Sequence, residues 1–145
     1  MSKSPFSVLS GAFRARVVKT WSMSIDSTQA EAAVILTEEA LKQGYIRRDK
    51  PVKGTTLAEW SKEQSTPLWA ALAAISLLLQ QQWTPKTHEE WAGFASLYIK
   101  MNKSTELDTL LDGLPVQIDP VIVAGWLCAA VEDDLCYRAI KRLTK

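Results

Sequence analysis

The chain has 145 residues, 47% of them hydrophobic and 23% charged, with a formal net charge of +1. That length fits one domain able to bury roughly two-thirds of its unfolded surface, and the ordinary apolar content excludes global disorder. The near-neutral charge supplies no broad field for nucleic acid or an anionic membrane, so neither is expected as a partner.

Residues 1–25 carry Lys3, Arg14, Arg16 and Lys19, many serines and no acid, the composition of an organellar presequence. They also read as the approach to a first helix over 11–21, with Phe13, Val17 and Trp21 inward and the cations outward, and that reading is preferred. No apolar run long enough for a secretory signal follows Lys3. A second helix spans 28–43, where Ala32, Ala33, Leu36, Ala40 and Leu41 recur at helical spacing and Gly44 supplies a left-handed stop. The stretch 45–55 is irregular and rich in cations, and a short helix over 57–64 follows.

The segment 67–83 contains no charge. Its strongly apolar part ends at Leu79, short of the about 20 residues a membrane span needs, so it reads as a helix surrounded by other helices. A further helix over 88–102 presents Trp91, Phe94, Ala95 and Tyr98 on one face. A short helix over 105–112 is capped by Ser104 and closed by Gly113 and Pro115. A last helix covers 120–143, and Val116, Gln117 and Ile118 before it could extend briefly. Helix-start signals punctuate the whole order. Thr66-Pro67, Thr84-Pro85 and Asp119-Pro120 pair a cap with a proline, while Thr28/Glu31, Thr56/Glu59 and Thr87/Glu90 have capping-box spacing. The fold class is therefore all-α, a compact single-domain bundle of about six to eight short helices.

From Trp91, apolar or small residues recur at Phe94, Ala95 and Tyr98, then at Leu107, Leu111 and Leu114, and Trp126 follows Trp91 by 35 residues. Over 89–126 this resembles a tetratricopeptide-type helical hairpin, whose period is about 34 residues. Leu107 stands where that family has a small residue, and Gly113-Leu114-Pro115 ends the second helix early. The resemblance implies a peptide-binding module like the small bacterial secretion chaperones. It places the family's concave-face positions on Glu89, Ala92, Ser96, Ile99 and Lys100. A non-repeat helical bundle is the other reading of the same residues.

Catalytic chemistry finds little support. The sole histidine, His88, begins a helix with no nucleophile signature beside it. Cys128 and Cys136 lie eight apart, about 12 Å along a helix, too far for a disulfide. Two thiols without a disulfide framework suit a reducing compartment, and Cys128, among Trp126, Leu127, Ala129 and Ala130, is expected as a small buried hydrophobe. No metal or cofactor is expected. The acids Glu38/Glu39, Glu89/Glu90 and Glu132/Asp133/Asp134 diverge by about 100° per residue on a helix, and Asp134 is placed to pair with Arg138. The glycines are scattered and form no phosphate loop. Of the six tryptophans, four are expected in the core and one or two at a groove or interface.

These features point to a small, cytoplasmic, non-catalytic helical module of chaperone or adaptor type. It would capture a partner protein's helix or peptide through Glu89, Ala92, Ser96, Ile99 and Lys100, with Arg47 and Arg48 of the basic loop as further contacts to an acidic protein. A homo- or hetero-oligomer fits the same reading. An inhibitor or immunity-type protein acting through a charged surface is the alternative, and an enzyme with residues converging from afar comes after it.

Overall fold

The computed structural model describes residues 4–47 and 50–143; Lys3, Arg48 and Lys145 lie outside them. The described residues form seven α-helices and no strand: α1 (Pro5–Met23), α2 (Gln29–Gln43), α3 (Gly54–Glu63), α4 (Leu68–Gln80), α5 (His88–Asn102), α6 (Leu107–Asp112) and α7 (Pro120–Leu143). They divide into two compact units. Ala12–Trp83 forms one, and the residues before Ala12 together with those after Trp83 form the other.

Local chemistry explains most of the helix ends. Thr28 accepts from the Glu31 amide and opens α2, while Gly44 closes it at φ 81°. Thr87 and Glu90 form a complete capping box on α5. The Asp119 carboxyl accepts from the Val121 amide ahead of α7, whose first residue is Pro120. The same cap-plus-proline pattern stands at Ser4-Pro5. There the Ser4 hydroxyl accepts from the Ser7 amide, so α1 starts well before the expected position near Gly11.

Three expected starts are corrected. Thr66 does not cap α4, because its buried hydroxyl donates to the Ala15 carbonyl of α1 and Pro67 takes the cap position. Thr84-Pro85 does not open α5, because the capping box three residues later satisfies more orphan amides. Thr56 lies inside α3, which starts at Gly54 after Lys53. Similarly, α6 begins at Leu107, with Ser104 accepting from the Glu106 amide ahead of it, and residues 116–118 form a turn.

In the Ala12–Trp83 unit, α2 packs on α4 and α3 packs on α2. Ala32, Ala33, Leu36 and Ala40 meet a helix whose Ala70, Ala71, Ala73 and Ala74 are fully buried. Small side chains on both partners let the axes approach closely. The uncharged segment is thus a core helix, as its composition indicates. Phe13, Val17 and Trp21 of α1 are buried, as expected, and Phe13 stacks on Trp83 at 5.9 Å.

The other unit is built on α5, which is buried on nearly every face rather than one and packs along α7. Tyr98 stacks on Phe94 and donates its hydroxyl to the Leu110 carbonyl at 2.7 Å, tying α6 to α5. Helix α7 contributes Val123, Leu127 and Ala130 to this core and no buried residue beyond them.

Two stability predictions follow from these contacts. A Cβ at Gly54 would stand 2.8 Å from the Ala30 amide nitrogen, closer than packing allows. Gly54→Ala should therefore cost about 1–3 kcal/mol in urea unfolding, because backbone must move to admit the methyl group. Burial pushes the Tyr98 hydroxyl above its ordinary 10.0, with Asn102 opposing weakly. The folded state then holds this proton more tightly than the unfolded state. Its contribution is fully present below pH 10 and is lost as pH rises through the raised value. Tyr98→Phe should flatten that alkaline loss and cost about 1–3 kcal/mol at neutral pH, where the Leu110 carbonyl loses its donor.

Candidate functional site

A 24-residue helix with three buried positions in its first half leaves much of its surface to other uses. On α7, Cys128, Val131, Glu132, Leu135, Cys136 and Ala139 recur at the spacing that keeps side chains on one helix face. This face lies well around the helix from Val123, Leu127 and Ala130, which point into the core. With Thr105 and Leu107 at the start of α6, it lines an open groove of about 440 Å³ whose walls are almost wholly apolar. Leu135 is 51% exposed and Leu143, farther along the same side, 85%. The stretch 131–143 amounts to about 20 Å of helix bearing apolar side chains that the unit does not bury.

Both cysteines belong to this groove. Cys128 is exposed, as is Cys136, which corrects the expectation that Cys128 is a buried small hydrophobe. Its apolar neighbours in sequence, Leu127 and Ala130, face the core, and a rotation of about 100° per residue turns Cys128 away from them. The tryptophans are corrected in the same way. Trp21 alone is fully buried, while Trp60, Trp69, Trp83, Trp91 and Trp126 are half-buried at the margins of the core. Trp60 and Trp69 meet edge to face at 5.6 Å, and Trp126 lies 5.6 Å from the His88 ring.

The residues singled out on α5 are placed as follows. Ala92 and Ile99 are buried, and Glu89, Ser96 and Lys100 are half-buried. Ser96 and Lys100 come together, with the lysine ammonium donating to the hydroxyl at 3.1 Å. Arg47 is exposed and belongs to the Ala12–Trp83 unit, and Arg48 lies outside the described residues. Of the acidic run, Asp134 pairs with Arg138 at 2.9 Å and Asp133 accepts from the Ser4 hydroxyl.

A polar cluster in the Ala12–Trp83 unit escaped sequence reasoning. Oε2 of buried Glu39 accepts from Ser76 at 2.7 Å and from Gln80 and Gln43 at 3.0 Å each. Tyr45 nearby has its hydroxyl pushed up, by burial first and by Glu39 second. Every donor to the cluster is neutral, and among the described residues no buried side-chain polar atom lacks a partner. The arrangement is complete as a tie between α2 and α4. A second recess, about 460 Å³, lies in the same unit between Lys19 and Lys62 and is lined by mixed polar and apolar side chains. Among the described residues no group of three or more His, Cys, Asp or Glu side chains gathers to hold a metal. No described helix is long and apolar enough to cross a membrane. No family model matches the sequence, no curated protein matches it, and no solved structure matches it.

The groove of α7 therefore stands out by its exposed apolar character. Its accessibility is open to a simple check. Both thiols should react with Ellman's reagent in the folded protein at rates near that of a free thiol, and denaturant should release no further equivalents.

Proposed function

We propose that the protein is a non-catalytic protein-binding module of chaperone or adaptor type, and that the groove along α7 receives an amphipathic helix of a protein partner. The observation that supports this most directly is the apolar stripe from Cys128 to Ala139, which continues past the last buried residue of the helix. A helix laid in such a groove buries its apolar face at i, i+3, i+4 and i+7 against the stripe, and its other face stays hydrated. Glu132 and Arg142, both exposed, give the stripe a polar border that can fix register. Helix-on-helix packing also suits the repeat-like hairpin read from 89–126, and the reading puts the contact surface on α7. A cytoplasmic setting would keep Cys128 and Cys136 reduced, and both are free thiols.

The test compares single substitutions on opposite sides of α7. Leu135→Glu places a charge in the stripe, and Tyr137→Glu places one about 160° away around the helix. Affinity purification from the native source with each variant, then binding of the recovered protein in purified form, should show a partner retained by Tyr137→Glu and lost by Leu135→Glu. Equal capture by both variants would overturn the proposal, as would recovery free of any helical partner, a second copy of the chain included.

A further inference from the structure

Glu132, Leu135, Ala139 and Arg142 follow a spacing of three, four and three residues, the seam positions of a heptad. All four are exposed, and among the described residues neither Glu132 nor Arg142 has an ion-pair partner. Read along the helix, the order is acid, apolar, apolar, base. That order is complementary to its own reverse. We infer that the helix received by this groove is α7 of a second copy of the chain, packed antiparallel across a two-fold axis near residue 137. The inference rests on the helix-receiving reading of the groove and names its occupant.

Antiparallel pairing stacks Leu135 on the partner's Ala139 and Ala139 on the partner's Leu135, forming two central apolar layers. Glu132 then meets the partner's Arg142, and Arg142 meets the partner's Glu132, so an ion pair closes each end. A parallel pair would instead set glutamate against glutamate and arginine against arginine, which disfavours it. Arg138 approaches its own copy beside the axis, but Asp134 on the same helix already neutralises it at 2.9 Å.

The geometry also assigns different surroundings to the two thiols. Cys136, one residue from the axis, faces the partner's Cys136 with an axial offset of about 3 Å, whereas the two Cys128 residues stand about 27 Å apart. A short bismaleimide should therefore link two chains through Cys136 and not through Cys128.

Sedimentation equilibrium of the full chain should show a concentration-dependent dimer. Leu135→Glu should abolish it over the same range, with helicity by circular dichroism unchanged because the residue is exposed. Glu132→Arg and Arg142→Glu should each weaken the dimer by on the order of tenfold, and the double variant should recover it. Cross-linking should persist in Cys128→Ser and vanish in Cys136→Ser. A monomer at every concentration would overturn the inference, and so would a dimer indifferent to Leu135→Glu or one cross-linked equally through Cys128. A monomer that still loses a different helical partner on Leu135→Glu would overturn the self-pairing alone and leave the helix-receiving reading in place.

Discussion

In the unit that holds the groove, burial along α7 stops at Ala130, well short of the end of the helix. Helix α5 has 15 residues and α7 has 24, about 22 Å against about 36 Å. α5 is buried on nearly every face, so the core of this unit is built around it. α7 packs along α5 and buries Val123, Leu127 and Ala130, and no residue beyond them is buried. Hydrophobic burial fixes the first half of α7, and the second half keeps apolar side chains for which the unit has no facing surface. An exposed apolar patch of this kind costs solubility, and in folded proteins such patches commonly mark contact surfaces.

Much of this order is legible in the sequence. The bounds of α2 and α7, the left-handed Gly44 and the inward face of α1 follow from caps, glycine conformation and helical period. Such signals act within a few residues and depend little on the rest of the chain. The misreadings share an opposite origin. Thr66 has the right chemistry for a cap, but the Ala15 carbonyl, 51 residues away, claims its hydroxyl. Cys128 sits among apolar neighbours, yet α7 is apolar on two faces and sequence period alone does not say which one meets α5. The groove was hidden for the same reason, because it depends on which face of α7 the core takes. Glu39 shows the limit most clearly. Its donors Ser76 and Gln80 come from the next but one helix, and nothing near Glu39 in sequence announces them.

The Ala12–Trp83 unit solves a different problem. Its α2 and α4 meet through alanines, which pack closely but are nearly interchangeable along a helix. An interface of like residues tolerates sliding by a turn. The buried Glu39 carboxyl removes that freedom, since only one register brings Ser76 and Gln80 to the same oxygen. A displaced register would bury a polar group without partners, at about 1–3 kcal/mol or more. Apolar area thus drives the contact and one polar tie selects its alignment.

The arrangement of the units along the chain bears on how the protein is made. The Ser4 hydroxyl bonds to Asp133, a partner 129 residues later. The residues of Ala12–Trp83 are contiguous in sequence and are all made before the second unit is complete, at about 5–20 residues per second of synthesis. The residues before it, although made first, find their companions last. Between those moments α5, which the folded unit buries on nearly every face, emerges before α7 exists to cover it. Translation speed between Asn102 and Ala130 therefore sets how long that surface stands open, and this interval is where the nascent chain is most exposed to aggregation.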